Sequence, residues 1–173
     1  SVNGADVFVA TGGRPFDPSL PAVVMLHGAG FDHSTWALHS RWFAHHGYSV
    51  LAPDLPGHGR SAGALLPTIA DMADWTAALL DAAGAPKAKL VGHSMGSLIA
   101  LETSARHPDR VSGLSLIGTA ATMGPMAVTS ALTLHEVLTG ARKAGNDRLF
   151  SLYRDLIGTF PNLYLVPFDA RIA

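Results

Sequence analysis

Residues 88–107, AKLVGHSMGSLIALETSARH, decide how the rest of the chain is read. A short apolar run, Ala88 to Val91, leads into Gly92-His93-Ser94-Met95-Gly96, and a helical pattern follows at once. This is G-x-S-x-G between a strand and a helix, the setting in which the motif is informative. A serine at the tip of a very tight strand-to-helix turn has a strained backbone, and the residues two positions away on either side crowd it. Gly92 and Gly96 carry no Cβ and relieve that crowding. The turn lifts the Ser94 hydroxyl above the sheet, and the helix start beneath it offers free N–H groups and a positive dipole end. Taken alone, the same residues also fit a glycine-rich turn with a buried helix-capping serine. The surrounding chain decides between the two.

Working outward, the pattern alternates between strands and helices. Residues 6–10, DVFVA, read as a short first strand, and Ala22 to Leu26 as a second. The second is apolar without alternation, which suits a strand buried on both faces of a parallel sheet. Ser34 or Thr35 is placed to cap a helix carrying Trp36, Leu38, Trp42 and Phe43 that stops near Gly47. Tyr48 to Ala52 reads as the next strand. Thr68 opens a helix with Asp71 as its capping partner, an inner stripe of Ile69, Met72, Ala73, Thr76, Leu79, Leu80 and Ala83, and Gly84 at its close. The helix after Ser94 must end before Pro108, and Val111 to Ile117 forms a further strand. This order predicts an α/β fold, a mostly parallel doubly wound sheet with helices on both faces. In such sheets ligands sit outside the carboxyl ends of the strands. Loops 27–33, 53–61 and 92–96 should therefore share one crevice.

Composition narrows the function classes. At 173 residues the chain is long enough for a core of its own. Only 14% of residues are charged and the formal net charge is −1, so no nucleic-acid partner is expected. No apolar run is long enough to span a membrane. The N-terminus lacks the basic region and apolar core of a signal peptide, which makes a cytoplasmic location the expectation. The chain begins at Ser1 rather than Met, which leaves room for a leader or tag already removed. The absence of cysteine excludes a disulfide framework and a thiol nucleophile. Nine histidines are scattered without ligand spacing, so no metal site and no cofactor is expected.

His27-Gly28-Ala29-Gly30 after a strand, Asp54-Leu55-Pro56-Gly57-His58-Gly59-Arg60-Ser61, and Gly92-His93-Ser94-Met95-Gly96-Ser97 together resemble the α/β-hydrolase superfamily. His107-Pro108-Asp109-Arg110-Val111, leading into 113–118, looks like the segment that follows the nucleophile helix there. The likeness covers residues 1–122, with 123–160 in the place of a lid-like helical segment and 161–173 in that of an acid-bearing strand and loop. It implies that Ser94 is the nucleophile and that the backbone N–H groups of Ala29 and Met95 form the oxyanion hole. His27 would hold its loop, Asp54, His58 and Arg60 would brace the crevice, and the His93 side chain would point away from the reacting centre. The strand-like run 162–168 precedes Asp169, which resembles the triad acid.

The resemblance also implies a histidine after the acid, and none follows Asp169. After Ser94 only His107 and His135 remain. His107 lies 13 residues on, about 20 Å along a helix, and is out of reach. His135 sits in an apparent helix, 128–138, where a surface or packing role is the simpler reading. Three explanations stand: a fragment or truncated product, a histidine supplied by another chain, or divergence in 123–173. A truncated chain would expose sheet edge and core and self-associate. The expected activity is a serine hydrolase acting on a small-molecule carboxylic ester. Thioesterase, lactonase, amidase, carbon–carbon hydrolase and perhydrolase chemistries share the constellation. The alternative is an inactive hydrolase-fold scaffold without a general base. A dinucleotide binder is disfavoured, because G-x-G-x-x-G is absent.

Overall fold

The apolar run at 22–26 becomes the middle strand of a five-stranded sheet. In the computed structural model, which describes residues 1–119, the strands are β1 (Val9–Ala10), β2 (Ala22–Leu26), β3 (Ser49–Pro53), β4 (Ala88–His93) and β5 (Val111–Ile117). Their spatial order is β1-β3-β2-β4-β5. β3, β2, β4 and β5 run parallel, and β1 lies antiparallel on the edge of β3. The expected lid segment 123–160, the segment 161–173 with Asp169, and His135 lie outside the described residues.

The unbroken hydrophobicity of β2 follows from burial on both sides. Ala22, Val24 and Leu26 join Leu51, Leu90 and Leu114 on one face, under α2 (Ile69–Ala82) and α3 (Met95–Arg106). Val23 and Met25 join Val50 and Ala52 on the other, under Trp36 and α1 (Ala37–His45). Side chains alternate along a strand, so a strand covered on both faces needs apolar residues at every position.

α2 begins as the sequence predicts: the Thr68 side chain accepts from the Asp71 N–H at 3.0 Å and donates to the Asp71 carboxylate at 2.6 Å. Trp75 and Ala77 are buried beside the predicted stripe, because α2 packs on α3 as well as on the sheet. At the surface of that seam Arg106 grips Asp74 through two hydrogen bonds, and His107 takes a third at 2.7 Å. The Arg106 guanidinium, followed by the His107 ring, holds the Asp74 carboxyl down to about 2. The pair is half-exposed, so its contribution to stability is small.

Two expectations are corrected. The first strand is two residues rather than five. The Phe8 N–H donates to Ser61 Oγ, its carbonyl accepts from Asp54, and Asp6 accepts from Ala62. The Phe8 carbonyl stays in register with β3, while the Phe8 N–H and the Asp6 carbonyl are taken up by Ser61 and Ala62 of the loop after it. The cap before α1 is Asp32, not Ser34 or Thr35: its carboxylate accepts from Ser34 N–H at 2.8 Å and opens a 3-10 turn, His33–Trp36, that runs into the helix. Asp32 stands immediately before the first residue of that turn, the position from which a side chain reaches the free N–H groups, and its charge suits the positive end of the helix.

Candidate active site

The turn at Ser94 has the strain its sequence implies. Ser94 lies at φ 53°, ψ −118°, one of two non-glycine residues with positive φ among those described. A Cβ on Gly92 would overlap the Gly96 carbonyl, and a Cβ on Gly96 would overlap the Leu26 carbonyl at the end of β2. The first helical residue, Met95, is buried directly behind the serine. The turn is tied in place by the Ser94 N–H, which donates to the Ile117 carbonyl of β5 at 2.9 Å, and by Ser97, whose N–H and Oγ both donate to the Ser94 carbonyl. Ser94 itself is half-buried, with its hydroxyl at the carboxyl edge of the sheet.

The loop after β2 lies directly against the serine. A Cβ on Gly28 would stand 3.2 Å from the Ser94 Cβ. The Gly28 carbonyl accepts twice, from the Phe31 N–H at 3.2 Å and from His27 Nδ1 at 2.8 Å. The Gly28 carbonyl and the Ala29 N–H belong to one planar peptide, so holding the oxygen also aims the N–H. Gly30, at φ +73°, lets the chain turn there. Ala29 is exposed, while Gly28 is buried.

His27 is the clasp of this loop. It is fully buried, donates from Nδ1 to Gly28 and accepts on Nε2 from the Leu55 N–H at 3.0 Å. Both ring nitrogens are occupied, and the ring must be neutral for Nε2 to accept. Burial pushes its pKa below 6.5. An unfolded histidine near 6.5 takes up a proton that the folded ring resists, so this contribution is present above 6.5 and is lost as pH falls below it. Denaturant midpoints should therefore decline as pH is lowered from about 7.5 to 5. His27→Gln, which cannot titrate, should flatten that decline; an unaltered slope would contradict the neutral clasp.

The loop after β3 is braced by Asp54, which is fully buried. Its carboxylate accepts from the Arg60 N–H at 2.8 Å, the His33 N–H at 2.6 Å and His33 Nδ1 at 2.8 Å. Burial alone would raise its pKa. The two backbone N–H groups and the His33 ring outweigh that and hold it below 3.8. The Arg60 guanidinium lies 4.0 Å over the Phe8 ring, and His58 meets His27 edge-on. Asp54, His58 and Arg60 thus brace the crevice as expected. His33 was missed in the sequence, because a hydrogen bond across 21 residues leaves no periodic trace.

Asp32, His33 and Asp54 bring one ligand atom each within 4.8 Å of one another. Each carboxylate already accepts from N–H donors, Asp32 from Ser34 and Asp54 from His33 and Arg60. The cluster is explained as a hydrogen-bonded brace. A surface cavity lined by Val9 to Gly13, His33, Ala37, Ser40 and Arg41 lies at the edge strand and includes neither Ser94 nor Gly28.

The structure thus brings Ser94, Met95 and the Gly28–Ala29 peptide together. Among the described residues no histidine hydrogen-bonds to Ser94, and His107 is held on Asp74 at the opposite end of α3. The His93 ring lies between Gly28, Phe31 and Gly118, and its buried Nδ1 has no hydrogen-bond partner among the described residues. No described helix is long and apolar enough to cross a membrane.

Comparison with known proteins places these features in a family. The model for the alpha/beta hydrolase fold matches residues 21–169. The chain is 43% identical over 99 residues to a pimeloyl-(acyl-carrier protein) methyl ester esterase of Chromobacterium violaceum, covering 57% of this chain and 37% of that protein. It is 40% identical over 99 residues to the dihydrolipoyllysine-residue acetyltransferase component of the acetoin cleaving system of Pseudomonas putida, covering 57% of this chain and 26% of that one. Among solved structures, a predicted CIB-like hydrolase from Thermoplasma acidophilum superposes with a TM-score of 0.63 at 29% identity, over 69% of this chain and 60% of that one. The chain spans about a quarter to two fifths of the length of the curated relatives it matches.

Proposed function

The chain belongs to the alpha/beta hydrolase fold family, and from that premise we propose that it is a serine hydrolase that cleaves carboxylic esters through an acyl-enzyme on Ser94. The observation that carries the reading is the strained Ser94 between two glycines that tolerate no Cβ, with Gly28 packed on its flank. A capping serine has no need of such a backbone; a nucleophile that must stand clear of its own helix does. The esterase relative supports the ester class.

In this mechanism Ser94 Oγ attacks the ester carbonyl carbon while its proton passes to a general base. The carbonyl oxygen gains the negative charge and is met by the N–H groups of Ala29 and Met95, donors already aimed before the charge appears. Collapse of the tetrahedral intermediate breaks the bond to the alcohol oxygen, which leaves with the proton the base had taken. Water then repeats the sequence on the acyl-enzyme and releases the acid. Asp169 is assigned as the carboxylate that orients the base. We assign the base to a histidine beyond Thr119 or on another chain; among the described residues His107 is committed to Asp74 and His27 to Gly28 and Leu55.

The second reading is a hydrolase-fold scaffold without turnover. Pre-steady-state mixing with p-nitrophenyl butanoate separates the two. The enzyme reading expects a burst of p-nitrophenol stoichiometric with protein, followed by slower turnover. Release no faster than buffer, from protein shown to be folded, would establish the scaffold reading instead.

A further inference from the structure

Six large apolar side chains stand exposed among the described residues: Leu20, Phe31, Leu38, Trp42, Leu65 and Ile117. Isolated exposed apolar residues are ordinary and call for no ligand. Phe31 differs from an ordinary one in being fixed beside the nucleophile. It is 55% exposed. Its N–H is nevertheless bound to the Gly28 carbonyl, and its ring edge lies 3.4 Å from where a Cβ on Gly28 would stand. The ring also meets His93 edge-on, with centroids 6.0 Å apart. The same Gly28 position is 3.2 Å from the Ser94 Cβ. The Gly28 position therefore stands between the Phe31 ring and the serine that would carry the acyl group.

We propose that Phe31 is a specificity-determining residue: its exposed ring is the wall against which the acyl group of the substrate lies. The site then takes esters of medium alkyl or aryl acids in preference to acetate esters. This rests on the serine-hydrolase reading. The acyl group, unlike the alcohol, stays on Ser94 through both half-reactions. Its carbonyl oxygen is directed to the Ala29 N–H, two residues before Phe31 on the same turn, and of the two groups on the carbonyl carbon the acyl chain is the one assigned to the ring. A ring already held by Gly28 and His93 loses little freedom on contact, so the apolar area it covers appears as selectivity.

The test holds the leaving group constant and varies the acid. For p-nitrophenyl hexanoate and acetate, kcat/KM is measured with the full chain, Phe31→Ala, Phe31→Leu and, as a control on α1, Leu38→Ala. The labelling rate of Ser94 by diisopropyl fluorophosphate is followed in each. Phe31→Ala should lower the hexanoate-to-acetate ratio about tenfold, the scale of a lost methylene-sized apolar contact. Phe31→Leu should restore most of the ratio, and the control Leu38→Ala should leave the ratio, acetate turnover and labelling unchanged. Labelling with an unchanged ratio in Phe31→Ala overturns the role of Phe31 alone. No labelling of the unsubstituted chain overturns the serine-hydrolase reading and this inference with it.

Discussion

Alanine in place of Gly96 is expected to destabilise the protein by at least about 3 kcal/mol, the upper range for overpacking. The added Cβ would overlap the Leu26 carbonyl and stand 2.7 Å from that of His27. Both are main-chain atoms at the end of the central strand, so no side chain can swing aside to make room. The N-terminus of α3 would have to move away from β2, opening the junction on which Ser94 stands. Gly92→Ala should behave in the same way, since its Cβ would overlap the Gly96 carbonyl and lie 2.5 Å from Ser97 Cα. Gly47→Ala provides the contrast. Gly47 has φ +84° but no atom within 4 Å of the added carbon, so only the backbone penalty of about 1–2 kcal/mol remains. Urea denaturation of the three variants measures the difference. Equal losses at Gly96 and Gly47 would mean that the elbow is not held by close backbone contact.

Ser94→Ala is expected to lower ester turnover by at least about 10⁴-fold, since triad nucleophiles in serine hydrolases act as part of one unit. Stability should hardly change, because alanine inherits the same positive φ. Ser94→Gly should be equally inactive yet more stable than the parent, by about 1–3 kcal/mol, because glycine removes the strain that the serine bears. A gain in stability on losing the reactive group marks a position shaped for reaction rather than for folding. Thermal melts run beside the ester assay give both numbers. A Ser94→Ala protein clearly less stable than the parent would argue that the hydroxyl is there as a structural cap, and a Ser94→Gly protein less stable than Ser94→Ala would argue that the backbone there bears no strain.

Much of this architecture was legible because it is local. β2 is apolar at every position, which only two-sided burial explains, and Thr68 with Asp71 marks the start of α2 within one turn. The glycines around Ser94 announced a close approach two residues to either side. What could not be read were contacts across the chain. The pairing of His33 with Asp54, the clasp from His27 to Leu55 and the capture of Phe8 by Ser61 join residues 21, 28 and 53 apart. Each depends on how loops fall once the sheet has formed, and a periodic pattern carries no trace of that. The same captures shorten β1, since a backbone bonded to a loop cannot also extend a ladder. Asp32 rather than Ser34 is the cap because the helical turn begins one residue after it, at His33, which places Ser34 inside the turn and its N–H among those to be capped.

Whether Ser94 is an activated nucleophile is decided by treating the folded protein with a fluorophosphonate, reading the intact mass and mapping the modified peptide, with Ser94→Ala alongside. Such reagents modify serines whose proton is taken by a base and whose oxyanion is met by donors. A single adduct is expected on the peptide carrying Ser94 and none in the variant. An unmodified protein, folded by circular dichroism, would contradict it and leave a hydrolase fold whose serine does no chemistry.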